Sequence, residues 1–334
     1  MVIVLPQTLP KAGILATGSY LPRRILTNQD LEKMVDTTTE WIETRTGILE
    51  RRIASPETAS SDMGIKASLK AIEEARIDPG EIELIIVATV TPDYQFPSTA
   101  CLIQEKLGAK RAACFDLAAA CPGFIYALAV GAQFIEAKTY KLVLVVATDS
   151  LSRITDWQDR NTCVLFGDGA GACLLKARPG GGGIISFSLG ADGSGADLLK
   201  VPAGGSRLPA SVATVNNRLH YLKMSGNEVF KFAVRVMEKA AREIMERNNL
   251  AFKDLNWFIP HQANIRIIES VAERLGVPLE KVVLNLQRYG NASAASTAIA
   301  IDEMNKKGKF KKGDIILLDA FGSGLTWASC LIRW

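Results

Sequence analysis

The order of elements between residues 65 and 147 returns between residues 228 and 318, and this repetition restricts the folds open to the chain more than any other feature. In the first half, a helix around Ile65–Ala75 leads through Asp78-Pro79 to a strand over Ile82–Ala88. A long loop follows, then a helix ending in Glu105-Lys106-Leu107-Gly108, a short buried strand over Ala112–Leu117, an elbow at Cys121, a helix over Gly123–Ile135 and a strand over Leu142–Ala147. In the second half, a helix over Glu228–Arg247 leads to a strand over Leu255–Ile259, then a helix ending in Glu273-Arg274-Leu275-Gly276. A strand over Val282–Leu286, a turn at Asn291, another helix and a strand over Ile315–Leu318 complete the series. Gly108 and Gly276, Cys121 and Asn291, and Leu142 and Ile315 lie 168, 170 and 173 residues apart. Strands alternating with helices at this spacing predict parallel-rich sheets covered by helices, built twice. Residues 1–178 form the expected first half and residues 179–334 the second, with the Gly-rich run in Lys176–Gly183 as the crossover.

The duplication brings distant residues to one place. Only two histidines occur, and His261 stands directly after the second-half strand Leu255–Ile259, in Pro260-His261-Gln262-Ala263-Asn264. If the halves pack about a pseudo-twofold axis, Cys121 and Asn291 occupy equivalent strand-to-helix elbows. His261 then joins them at the strand ends, where ligands of open α/β folds usually bind. Pro122 suits the first helical position, and a thiol at a helix N-terminus feels the positive end of the peptide dipoles, which favours thiolate. Cys101, Cys114, Cys163, Cys173 and Cys330 lack this elbow and read as packing residues. His220 has no strand-end setting and reads as a surface or structural residue. Taken alone, Asn291 after Gly290 is an ordinary turn residue.

Composition excludes several classes. At 334 residues and 48% hydrophobic, the chain has material for two ordinary domains, and no apolar stretch is long enough to span a bilayer. The N-terminal Met-Val-Ile-Val-Leu-Pro lacks the features of an export signal, so a cytoplasmic protein with reduced thiols is expected. Six cysteines without a Cys-x-x-Cys pair argue against structural zinc, and a formal charge of +4 is too mild to imply nucleic acid.

Four motifs carry a family resemblance. Ala119-Ala120-Cys121 with Gly123-Phe124, Pro260-His261-Gln262-Ala263-Asn264, Gly290-Asn291-Ala292-Ser293-Ala294-Ala295-Ser296 and Phe166-Gly167-Asp168-Gly169-Ala170-Gly171 resemble the thiolase-fold condensing enzymes. Within them the chain is similar to the β-ketoacyl-acyl-carrier-protein synthase III family, which starts bacterial fatty acid synthesis. The similarity runs from about Gly13 to Trp334 and includes Thr39–Gly47. It implies a duplicated thiolase-like fold, layered αβαβα, acting as a homodimer without a metal or a cofactor beyond its coenzyme A thioester substrate.

The same resemblance implies the chemistry. Cys121 takes a short acyl group from acetyl-CoA or a similar thioester, a nearly isoenergetic exchange that keeps the group activated. Malonyl-acyl carrier protein then loses carbon dioxide, and neutral His261 and the Asn291 amide stabilise the resulting enolate. The backbone N–H groups of Cys121 and Ser323 form the expected oxyanion hole. Pro122 replaces a commonly small residue, and Ser323 a frequent glycine, which raises the question of a strained positive φ. The resemblance implies that Trp41 and Arg160 sandwich the adenine of coenzyme A, that Thr37 and Arg45 touch its nucleotide end and that Asn264 touches pantetheine. Phe96 closes the acyl pocket across the dimer and Phe321 lines it; a bulky ring at Phe96 favours a short primer.

Lys231, Arg235, Lys239 and Arg242 fall on one side of the 228–247 helix, with Arg266 beyond His261. Acyl carrier proteins are acidic, so Lys231, Arg235 and Arg266 are the candidate docking residues; Lys239 and Arg242 read equally as a solvated face. The nearest alternative is an initiating enzyme using a branched or longer primer for specialised lipid or polyketide synthesis. A chain-elongating synthase uses two active-site histidines, whereas Asn291 occupies the second position here. A non-catalytic carrier-binding protein or a cysteine thioester hydrolase fits the retained Cys, His and Asn less well.

Overall fold

The computed structural model describes residues 11–178 and 182–334. Residues 179–181 of the expected crossover, and the N-terminal segment read for export signals, lie outside the described residues. Helices and strands assemble into five layers around two sheets. The first sheet has the strand order Lys11–Tyr20, Asp168–Arg178, Leu142–Ser150, Leu84–Ala88, Ala113–Leu117. The second has the order Gly183–Ala191, Thr326–Arg333, Ile315–Gly322, Trp257–Pro260. In both, antiparallel pairing at one end gives way to parallel pairing at the other. The repeat seen in the sequence is thus a repeat of strand order and direction.

Strand chemistry accounts for the layering. Along Leu84–Ala88, Leu84, Ile86 and Ala88 face the central layer while Ile85 and Val87 face an outer one. Along Ile315–Gly322, Ile316 and Leu318 face the centre while Ile315 and Leu317 face the other outside. Both faces of these strands are covered, so they read as continuous apolar runs rather than alternating ones. The central layer holds the helix Gly123–Glu136, which is apolar nearly all round, and the helix Ala295–Lys306, buried from Ala295 to Asp302. The helices Ser60–Ala75 and Thr99–Leu107 cover the first sheet; Gly226–Arg247 and Ile265–Leu275 cover the second.

Two expected strands differ. Ala113–Leu117 forms, yet it is half-buried rather than buried, because it is the last strand of its sheet and one edge has no neighbour. The expected strand over Val282–Leu286 contracts to one bridge between Phe258 and Val282. The fully buried Gln262 side chain replaces the missing ladder: its oxygen accepts from the N–H groups of Asn285 (2.9 Å) and Leu286 (3.2 Å). Its nitrogen donates to the carbonyls of Pro260 (2.8 Å) and Val283 (3.0 Å). An amide with both ends paired satisfies buried backbone groups that a strand would otherwise pair.

Candidate active site

Cys121, His261 and Asn291 line one cavity of about 570 Å³. Cys121 follows the strand Ala113–Leu117, and Pro122, expected at the first helical position, is instead the N-cap residue (φ −74°) of the helix Gly123–Glu136. Asn291 precedes the helix Ala295–Lys306. Counted from the helix starts, the two elbows are offset: Cys121 lies two residues before Gly123 and Asn291 four before Ala295, so Ser293 is the positional counterpart of Cys121. The Ser293 hydroxyl faces the Cys121 sulfur at 3.7 Å.

Burial overrides the expected thiolate. It pushes the Cys121 thiol up to about 12, and the Ser293 hydroxyl lowers it by a smaller amount. The helix end stabilises an anion formed during attack, but the resting group is a thiol. His261, 2% exposed, ends its strand with its N–H donating to the Asp319 carbonyl at 2.8 Å. Burial lowers its pKa to about 3, so the ring is neutral near pH 7. Nδ1 is buried without a partner, while Nε2 makes no hydrogen bond among the described residues and remains open to the cavity. Placing the proton on Nε2 leaves only a lone pair unpaired inside and turns the N–H donor towards the cavity. Phe321 packs edge-on to this ring, centroids 6.5 Å apart.

The turn Phe321-Gly322-Ser323-Gly324 abuts the cysteine. A Cβ on Gly322 would stand 2.7 Å from the Cys121 nitrogen, so only glycine permits this approach. The Cys121 N–H makes no backbone hydrogen bond among the described residues. Thr326 ties the two segments by donating to the carbonyls of Ala119 and Ser323, both at 2.9 Å. Positive φ falls on Gly324 (139°) and not on Ser323, whose hydroxyl donates to the Leu199 carbonyl. The serine therefore carries no left-handed strain.

Trp41, Arg45, Asn264 and Arg266 stand at the cavity wall. The Arg160 guanidinium lies 4.4 Å from the Trp41 ring centroid and its Nη1 donates to the Asp36 carbonyl. Two stacking faces with a purine between them need about 7 Å, so the expected sandwich is closed on itself here. Asn264 caps the helix Ile265–Leu275 through the Arg266 N–H and donates to the Arg45 carbonyl at 3.0 Å, tying that helix to Thr39–Thr46. Thr37 is not at the wall, and its hydroxyl is buried without a partner. Phe96 is also outside this cavity, 85% exposed.

Known proteins match along nearly the whole chain. Two family models match: 3-oxoacyl-[acyl-carrier-protein] synthase III over residues 115–193 and the C-terminal part of that synthase over residues 245–334. A β-ketoacyl-[acyl-carrier-protein] synthase III from Caldanaerobacter subterraneus is 58% identical over 97% of this chain and 98% of its own. The chain belongs to the β-ketoacyl-acyl-carrier-protein synthase III family. The crystal structure of the 3-oxoacyl-[acyl-carrier-protein] synthase III from Aquifex aeolicus superposes with a TM-score of 0.90, at 48% identity, covering 97% of this chain and 100% of that one. The priming β-ketosynthase of the R1128 polyketide pathway matches with a TM-score of 0.89 at 39% identity, over 98% of both chains. The molecule is accordingly a thiolase-fold condensing acyltransferase of fatty acid synthesis.

In this synthase the charged stripe divides. Lys239 pairs with Glu243 at 3.7 Å, and Arg242 with Glu238 at 3.1 Å, as members of a solvated face. Lys231, Arg235 and Arg266 have no carboxylate within salt-bridge distance among the described residues; Arg235 and Arg266 lie over Phe232 and Phe230. His220 bonds the Thr214 hydroxyl at 2.9 Å, a structural contact. Sequence reasoning passed over Ser293 as a site residue, although the repeat aligns it with Cys121 once the helix starts are known. Asp149, buried at the end of its strand, has no motif to mark it.

Proposed function

We propose that Cys121 is the acyl-carrying nucleophile and that His261 and Asn291 stabilise the enolate of the second substrate. The observation that carries this reading is the convergence of a thiol, a neutral imidazole and an amide nitrogen on one cavity with no carboxylate among its lining residues. In the first half-reaction the Cys121 sulfur attacks the thioester carbon of acetyl-CoA, the carbon–sulfur bond to coenzyme A breaks, and coenzyme A leaves as its thiol. The adjoining N–H groups of Cys121 and Ser323 stabilise the oxyanion. In the second, malonyl-acyl carrier protein loses carbon dioxide, and its electron pair becomes an enolate held by His261 Nε2–H and Asn291 Nδ2–H. The enolate carbon attacks the acetyl-Cys121 carbonyl, Cys121 leaves as a thiol after protonation, and 3-oxoacyl-acyl carrier protein is released.

The rest of the assignment follows the same resemblance. Trp41 and Arg160 part to admit adenine, with Thr37, Arg45 and Asn264 along the remainder of coenzyme A. Lys231, Arg235 and Arg266 meet the acidic carrier protein. Two copies pair through the open edge of Ala113–Leu117, each lending Phe96 to its partner's acyl pocket beside Phe321; the exposure of that ring and the unpaired strand edge support this. We place the enzyme in the cytoplasm; no helix among the described residues is long and apolar enough to cross a membrane.

The likeness to a priming polyketide synthase favours one second reading, in which the same chemistry loads a branched or longer acyl group. Mass spectrometry of the products from malonyl-carrier protein and a panel of acyl-CoAs tests both. A condensed 3-oxoacyl product with acetyl as the best primer supports the first reading. Free acid alone, or no product with any primer, sinks both.

A further inference from the structure

Gln262 is fully buried and stands off the cavity wall that its neighbours His261 and Ala263 line. Its carboxamide spans two segments. Nε2 donates to the Pro260 carbonyl (2.8 Å), immediately before His261, and to the Val283 carbonyl (3.0 Å), while Oε1 accepts from the N–H groups of Asn285 (2.9 Å) and Leu286 (3.2 Å). Carbonyls only accept and backbone N–H groups only donate, so these partners fix which end of the amide is oxygen. The chain then makes one helical turn, Leu286–Tyr289, which Gly290 closes by donating to the Leu286 carbonyl at 2.9 Å, directly before Asn291. One side chain thus holds both the backbone beside His261 and the turn that carries Asn291.

We propose that Gln262 is a positioning residue for decarboxylation, setting the spacing between His261 and Asn291; this rests on the reading of those two as the donors to the enolate. Two donors that meet on one oxygen must each stand about 2.7–3.1 Å from it, so a slip of one segment against the other weakens both bonds. Among the described residues, backbone pairing joins the segments at one bridge, where the Val283 N–H donates to the Phe258 carbonyl at 2.8 Å. His261 is anchored to the Asp319 carbonyl and Asn291 to Leu165 and Gly167, and Gln262 ties these separately anchored ends to each other. Cys121 lies on the other elbow and makes no hydrogen bond to Gln262 among the described residues, so acyl transfer to the sulfur does not depend on this tie.

Two substitutions separate positioning from packing. Gln262→Met keeps the length of the side chain and removes all four hydrogen bonds. Gln262→Glu keeps an acceptor for Asn285 and Leu286 but can serve the Pro260 and Val283 carbonyls only while protonated; ionised, it faces them with a second oxygen. Burial favours the neutral acid, and ionisation returns as pH rises. The other titratable groups around this segment are His261, Asp319 on the adjoining strand, and Glu303, which accepts from the Asn285 amide at 3.2 Å and pairs with Arg288 and Lys307. All of them are present in the wild type, so the ratio of variant to wild type at each pH isolates the substituted side chain.

The full-length enzyme is assayed from about pH 5 to 9 for carbon dioxide release from malonyl-acyl carrier protein, and for acetyl-enzyme formation from acetyl-CoA by intact-protein mass spectrometry. Gln262→Met is expected to lose about 10²-fold in carbon dioxide release at every pH, with acetylation within about threefold of wild type. Gln262→Glu should match the wild type in both assays at the acid end, its carbon dioxide release alone falling towards that of Gln262→Met as pH rises. Equal losses in the two half-reactions that track unfolding by urea, or wild-type carbon dioxide release in Gln262→Met, would show a merely structural residue and overturn the proposal. If Gln262→Met does not fold, Gln262→Glu decides, and a carbon dioxide ratio flat with pH overturns it. Asn291→Ala, assayed in parallel, tells the two failures apart. A split present there and absent at Gln262 defeats the positioning role alone, whereas equal losses in Asn291→Ala defeat the enolate assignment and the positioning role with it.

Discussion

The side-chain oxygen of Asn291 accepts the backbone N–H of Ser293 at 2.9 Å. A backbone N–H only donates, so this contact fixes which end of the amide is oxygen and leaves the nitrogen as a donor beside the cavity. An aspartate at this position keeps the contact to Ser293 but replaces the donor with a charged acceptor that repels the enolate. Asn291→Asp should therefore fold normally, and its malonyl decarboxylation should drop by about 10²-fold or more. Acetylation of Cys121 should fall much less in Asn291→Asp and in Asn291→Ala. Equal losses in the two half-reactions, measured by carbon dioxide release and by acetyl-enzyme mass, would refute the division of labour.

Cys121→Ser should form no acetyl-enzyme at a measurable rate. Burial that already pushes the thiol up to about 12 keeps the intrinsically less acidic alcohol un-ionised. Radiolabelled acetyl-enzyme appearing at the wild-type rate would remove Cys121 from the mechanism.

Gly290 holds φ 68° and ψ −166°, a conformation open essentially to glycine, and a Cβ there would stand 2.9 Å from the Arg51 Cβ. Arg51 is fully buried and donates to the carbonyls of Leu26 (3.1 Å) and Val164 (2.9 Å) and to Asn28 (2.9 Å), so its stem has little room to move. Gly290→Ala should cost about 3 kcal/mol in urea unfolding and displace Asn291, which pairs with Leu165 and Gly167 through its backbone. A variant as stable and active as the wild type would show that the turn relaxes freely.

These residues mark what the sequence could and could not disclose. Period, punctuation and repetition were enough to read the doubled strand order, because covered parallel strands are written as apolar runs between Gly-capped helices. Cys121, His261 and Asn291 could be singled out because each stands beside a glycine or proline where one element gives way to the next. Gln262 acting as a surrogate strand was not, since a side chain satisfying backbone groups leaves no periodic trace. The same holds for the thiol's resting state: the helix end is visible in the sequence, whereas the burial that outweighs it depends on packing from both halves. Cys121 and Ser293 meet only after folding.

Removing the aromatic face with Trp41→Ala, or the guanidinium with Arg160→Ala, should weaken coenzyme A binding by about 3- to 30-fold, the range for a cation–π contact. Cys121 alkylation by iodoacetamide should stay at the wild-type rate in both. Titration calorimetry that finds no change in Kd for either variant would exclude the Trp41–Arg160 pair as the adenine site.

His261 gives the last prediction its sign. Its folded pKa, lowered by burial to about 3, lies below the ordinary value of 6.5. Between those values the unfolded chain binds a proton that the native state refuses, so this residue's contribution to stability is lost as pH falls from 6.5. Asp149 acts oppositely: its carboxyl is raised from 3.8 to about 6, so the native state binds the extra proton and this contribution is lost as pH rises through that window. In the wild type the two slopes nearly cancel between about pH 4 and 6. His261→Ala removes one of them. Its stability relative to wild type should improve by roughly 1.6 kcal/mol, about 15-fold in the folding equilibrium, between pH 6.5 and pH 5. Asp149→Asn should gain relative to wild type in the other direction, as pH rises from 4 to 6. Urea denaturation across this range measures both, and a pH-independent difference for His261→Ala would mean that the native imidazole titrates as it does in water.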